Sequence, residues 1–180
     1  WTNGSIDVTI QSGAASGGQI YVTRGDNGAM NEVGVTLHVG NGGNPIVHVA
    51  APVNPAAHPI QDAIDAASPG TLILVDPGTF NENVIMYKNV KLQGSGAPST
   101  VINASHFPFA KITAWRAKLN QIMGSIDLVP GQDPTFTNEE GPGIMVITQN
   151  AAFGSNPSPL IDGFTVSGAS LGSGIYVNGY

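Results

Sequence analysis

His38 and His48 are the first side chains in this chain that could do chemistry together. Val33, Val35, Leu37 and Val39 share one face of an expected strand, and Val47 and Val49 share a face of the next. Setting Val39 opposite Val47 leaves Gly42-Gly43-Asn44 as a three-residue hairpin loop and puts His38 opposite His48. Two facing imidazoles are candidate metal ligands, with His58 not far along the chain. No third ligand stands at a diagnostic spacing, so the favoured reading is a solvent-facing cross-strand pair. A second cluster is acidic: Asp127, Asp133, Glu139 and Glu140 lie among Pro and Gly residues. Four carboxylates in one loop could hold calcium, the one cofactor the residues suggest, but they lack the alternation of a helix-loop-helix calcium motif and read first as a solvated acidic loop. Trp115 and Arg116 form a third candidate, a stacking plane beside a fork of donors for a sugar or a carboxylate. Trp115 also falls on the apolar stripe of its own helix, which favours a packing anchor. Glu82 with Lys88 has the composition of an acid/base pair but reads as exposed corner charges, and Asp162 reads as a corner residue without a second acid.

The elements that must position these residues change character at Gly70. Before it, Ile60, Ala63, Ile64 and Ala67 recur at the period of one helix face, and Ser68-Pro69-Gly70 ends the run. After it come short runs rich in β-branched residues, Leu72-Ile73-Leu74-Val75, Val84-Ile85-Met86, Val90-Lys91-Leu92 and Val101-Ile102, separated by Asp76-Pro77-Gly78, Lys88-Asn89 and Gly94-Ser95-Gly96. Parallel neighbours in a doubly wound sheet need long crossovers, and there is no room for them here. A coil of strands stacked on itself needs none, because the crossover is the coil. The helix then covers the first coil and hides its unpaired backbone.

The stretches IQDAID, PGTLILVDPGTFNENV, KNVKLQGSG and TVINA resemble the opening of the pectin-lyase-like right-handed parallel β-helix superfamily, and the later IDGFTVSG and GIYV resemble its recurring coil patterns. The resemblance implies an all-β solenoid with a short N-terminal capping helix. It is specific for fold and poor for function, since that fold hosts many activities. Uronate-polymer lyases, esterases and hydrolases of the superfamily work with paired acids or a calcium-supported base on later coils. The segment after GFTVSG carries no second acid or Gln, so catalysis is not supported by the residues present.

Ahead of the coils, residues 1–52 are expected to form a small antiparallel β module, with alternation in Ile6-Asp7-Val8-Thr9-Ile10 and again in Gln19-Ile20-Tyr21-Val22-Thr23. Residues 53–59, Pro-rich, read as a stiff linker and the best domain boundary. Residues 60–180 are then the cap and first coils, interrupted at 105–142 by an inserted helix and the acidic loop. Ile112, Trp115, Leu119 and Ile122 share one face of that helix and are expected to pack on the coil wall. The strand-like GIYVNGY at the end carries no polar cover, so the expected partner is the remainder of a longer β-helix or another chain over an open coil.

Composition agrees with turn-rich β structure: 24 Gly and 13 Pro in 180 residues, 41% hydrophobic and only 10% charged. A net charge of −6 disfavours nucleic acid and anionic lipid as partners, for want of a basic surface to replace counterions. Cysteine is absent, so no disulfide framework exists, and no apolar run is long enough to span a bilayer. The start at Trp1, with neither Met nor a signal peptide, reads as a mature chain or one cut from something larger. Together these features point to a structural or adhesive segment of a secreted or cell-surface protein. The alternatives are a polysaccharide-active enzyme with its active residues on later coils, or a carbohydrate-binding module built around Trp115.

Overall fold

A computed structural model describes residue 9 and residues 17–122, 141–147, 159–170 and 172–178. The described residues are mostly β, with three parallel sheets, one antiparallel pair and two short helices. Strands β1 (Gly17–Ile20) and β2 (Val35–His38) pair antiparallel, with Gly17 opposite His38 and Ile20 opposite Val35. Strand β3 (Ile46–Val49) leads into helix α1 (Pro59–Ala66), and β4 (Leu72–Val75), β5 (Gly78–Phe80) and β6 (Val84–Met86) follow in one continuous run. Strands β7 (Lys91–Gly94) and β8 (Thr100–Asn103) repeat the first two of these three directions. Helix α2 (Phe109–Ile122) then intervenes before β9 (Ile144–Ile147). A last set comprises β10 (Leu160–Asp162), β11 (Thr165–Ser167) and β12 (Ile175–Asn178).

Pairing runs between sets and not within them. The sheets are β3-β4-β7-β10, β5-β8-β11 and β6-β9-β12, and every pair in them is parallel. Inward apolar side chains therefore stand on one another from set to set. Ile73 stacks on Leu92 and Leu92 on Ile161; Phe80 stacks on Ile102 and Ile102 on Val166. These residues, with Val84, Met86, Ile144 and Val146, form one core, and Ile60 and Ile64 of α1 close its first end. The two-residue period decides which side chains enter: Val84 and Met86 face this core, while Ile85 between them faces out.

The corners stack as closely as the strands. A Cβ on Gly94 would lie 2.3 Å from the Gly163 carbonyl oxygen, and one on Gly163, whose φ is +75°, would lie 2.5 Å from that of Gly94. Only glycine at both positions lets these two corners approach in register.

Two expectations are corrected. The hairpin between residues 33–39 and 47–49 does not form: β2 pairs with β1, and β3 joins the parallel sheet with Ile46 beside Leu72 and Val49 beside Val75. The reason is burial, since that register places Val49 at 5% exposure in the main core. The segment expected to be a linker at 53–59 thus separates, along the chain, two strands that one sheet unites. Asp76-Pro77-Gly78, expected to separate two strands, does so only over its first two residues, because Gly78 already belongs to β5.

Candidate functional site

Helix α1 is short, and its N-cap residue His58 makes no side-chain capping bond. The cap comes from a residue distant in sequence. The Ile60 and Gln61 backbone N–H groups donate to the two carboxylate oxygens of Glu82, each at 3.0 Å. At the other end Lys88 Nζ donates to the carbonyl oxygens of Asp65 and Ala67. A carboxylate at the positive end of the helix and an ammonium at the negative end both satisfy unpaired backbone groups and oppose the dipole. Glu82, with no exposed surface, and Lys88 are thus not the exposed corner charges the sequence suggests; they hold the cap on. Burial pushes the Glu82 carboxyl up to about 7, against the two backbone donors and Lys111, which favour its charge.

Between these two charges, Gln61 pairs with the backbone of Ile85. Its Oε1 accepts from Ile85 N–H at 2.7 Å and its Nε2 donates to Ile85 O at 3.2 Å. Strand β6 is the first of its sheet, and the Gln61 amide stands where the preceding strand would be.

Helix α2 covers the outside of the same sheet. Ile112, Trp115, Leu119 and Ile122 are buried against Ile85, Met145 and Ile147, the stripe the sequence predicts, with Lys111 also buried beside it. Lys118 ties α2 to α1 through a 2.7 Å ion pair with Asp65, which also accepts from Gln61 and from the Tyr87 hydroxyl. Burial raises the Asp65 carboxyl, but these hydrogen bonds outweigh it, and the group titrates below its usual range. Asn83 pins both ends of the insertion: its Nδ2 donates to Ala104 O, Gly141 O and Pro142 O, and His106 Nε2 lies 3.0 Å from Gly141 O.

A cleft of about 140 Å³ lies between the helices, lined by Gln61 and Asp62 of α1, by Lys111, Trp115 and Lys118 of α2, and by Asn83. It is contiguous, through His58 and Lys111, with a wider groove of about 530 Å³ walled by Pro55, Ala56, Phe107, Pro108, Ala110 and Ala114. Two buried polar atoms of cleft residues have no hydrogen-bond partner among the described residues: Trp115 Nε1 and Asn83 Oδ1. The Trp115 residue is 4% exposed.

The sequence-predicted residues fall in different places. Trp115 is in the second core and lines the cleft, while Arg116, its half-buried neighbour, is not among the cleft residues. The pairing of His38 with His48 is corrected with the hairpin that implied it, since His38 stands opposite Gly17 and His48 beside Leu74. Among the described residues no group of three or more His, Cys, Asp or Glu side chains is placed to hold a metal ion. Asp127, Asp133, Glu139 and Glu140 lie outside the described residues. Asp162 accepts a hydrogen bond from the Thr36 hydroxyl, which ties β2 to the outer face of the four-stranded sheet. The sequence reading missed Gln61, Asp62, Asn83 and Lys111 as site residues; the signal available for them was the placement of α1 over the first strands that follow it, which brings residues about 21 positions apart together.

No protein-family model matches this chain and no curated protein matches it.

Proposed function

We propose that this chain is a structural segment of a right-handed parallel β-helix of the pectin-lyase-like kind, carried by a secreted or cell-surface protein, whose last coil is covered by a further layer of strands. The observation that carries the reading is a contrast between register-equivalent residues. Ile144 and Val146 of β9 are 0% and 7% exposed, whereas Ile175 and Val177 of β12, which stand directly on them, are 47% and 64% exposed. Core positions left open on a stack of parallel strands fit one more rung, because each rung buries its apolar face only against a neighbour. The right hand is the one that parallel crossovers adopt.

A structural role is supported by what the charged groups do. Glu82 and Lys88 cap α1, Lys118 and Asp65 join the helices, Lys91 donates to Asn41 Oδ1, and Lys111 donates to Asn103 O. Each charge fastens one rung or helix to another. Two measurements test the proposal. Incubation with pectate and pectin is expected to release no unsaturated or reducing ends, and release would overturn the structural reading. The isolated chain is expected to self-associate in sedimentation, and Ile175→Lys with Val177→Lys to return it to monomer; a monodisperse unsubstituted monomer would remove the case for an uncovered rung.

A further inference from the structure

We propose that the cleft between α1 and α2, together with the groove that continues it, is a binding site for a neutral glycoside, with one sugar ring on the Phe107 side and its hydroxyls toward Asp62, His58 and Lys111. The site's named lining residues fall within 55–62, 81–85 and 107–118 and none belongs to β12, so the proposal is independent of any further rung.

Three features converge. The groove has the volume of a small-molecule site, about 530 Å³ against the usual range of about 300–1,000 Å³, and a wall of small or flat apolar groups. Phe107, 68% exposed, lines the groove, and its ring meets that of the equally exposed Phe109 edge to face, with centroids 5.1 Å apart. An exposed aromatic pair beside a concave surface offers an apolar face to the C–H side of a ring while leaving the ring's polar edge free.

The polar end carries hydrogen-bonding capacity that the fold leaves unused. Trp115 Nε1 is a buried donor and Asn83 Oδ1 a buried acceptor, both without a partner, in residues 4% and 6% exposed. Native interiors rarely leave such atoms unpaired, so a donor and an acceptor orphaned at one cleft point to a guest, directly or through water, that supplies both. Hydroxyl groups do so, because each donates and accepts.

Charge selects among hydroxylated ligands. Lys118 is paired with Asp65 and Lys111 donates to the Asn103 carbonyl oxygen, so both ammonium groups at the cleft are already engaged by the fold. Asp62, exposed at the mouth, adds a negative charge. An anionic sugar such as a uronate meets that carboxylate without a free cation to offset it, whereas a neutral sugar offers Asp62 a hydroxyl donor.

The test follows the Trp115 indole N–H by two-dimensional NMR while the chain is titrated separately with methyl β-glucoside, methyl α-mannoside, methyl β-galactoside and sodium galacturonate. At least one neutral glycoside is expected to shift the Trp115 signal in a saturable way and to bind more tightly than galacturonate. Phe107→Ala, at an exposed position that leaves the fold intact, is expected to weaken that binding about tenfold. Asp62→Ala is expected to weaken it as well. The proposal is overturned if none of the neutral glycosides binds, if galacturonate binds best, or if binding survives both substitutions unchanged.

Discussion

Glu82 is a carboxylate with two opposed demands on it. Its helix-capping bonds favour the charged form, while its burial favours the neutral one, and burial prevails, raising the group from its reference of 4.5 to about 7. A carboxyl whose folded value is raised binds its proton more tightly in the native state than in the unfolded chain. Its contribution to stability is therefore greatest below the unfolded value and is lost as pH rises toward 7. The loss amounts to about 3 kcal/mol across that window, at about 1.4 kcal/mol per unit. We expect Glu82→Gln, which keeps the shape and one acceptor, to flatten the wild-type decline in unfolding free energy between about pH 4.5 and 7; urea titrations at several pH values read this directly, and parallel pH profiles for the two proteins would refute it. Asp65 acts with the opposite sign. Its carboxyl is held below its usual range by its three donors, so its contribution is present above the ordinary carboxylate range and fades as pH falls through the lowered value. Asp65→Asn is expected to lose stability at neutral pH and to converge on wild type in acid.

At the scale of elements, the two helices do different work on one sheet. Helix α1 closes the end of the core with Ile60 and Ile64 and supplies through Gln61 the amide that completes the edge of β6. Helix α2 covers the outer face, where Ile85, Met145 and Ile147 would otherwise meet water. Replacing Gln61 by Leu keeps the helix but leaves Ile85 N–H and C=O without these partners. The expected cost is about 1–3 kcal/mol, with faster amide exchange at Ile85 and little change at Ile73 on the neighbouring sheet. Trp115→Ala empties a site in the second core and is expected to cost about 3–5 kcal/mol. Both helices were legible from apolar spacing alone: Ile60, Ile64 and Ala67 on one, Ile112, Trp115, Leu119 and Ile122 on the other, are buried as their periods imply. The tethers were not legible. Nothing in the local pattern around Glu82 marks it as the cap of a helix that begins 23 positions earlier, because its role exists only once the chain has passed through β4 and β5 and returned to the start of α1. The false hairpin has the same origin. Alternation in residues 33–39 and 46–49 identifies strands correctly, but alternation is blind to partner and direction, and β3 buries more by lying parallel on β4.

Across the whole molecule, stacked parallel strands make stability a property of neighbours along one axis. A substitution is felt according to how many rungs flank it. Ile144 has Val84 on one side and Ile175 on the other and is fully buried; Ile175 has, among the described residues, only Ile144 as a strand partner and is 47% exposed. A lysine at Ile144 places an ammonium between two apolar rungs with no carboxylate to meet it, and the expected result is a chain that does not fold cooperatively. A lysine at Ile175 can extend past the last rung into water while its methylene stem stays on Ile144. Its expected cost in the isolated chain, diluted until it is monomeric, is within about 0.5 kcal/mol. Adding a covering rung would convert the second substitution into the first, since Ile175 would then be flanked on both sides. The pair of variants, measured by urea denaturation in this chain and again in a protein that carries a further coil, therefore reports on the architecture itself. Equal costs at the two positions in the isolated chain would mean that the strands do not contribute rung by rung, whereas a cost at Ile175 that rises to that at Ile144 when a coil is added is the signature of a stack that grows along its axis.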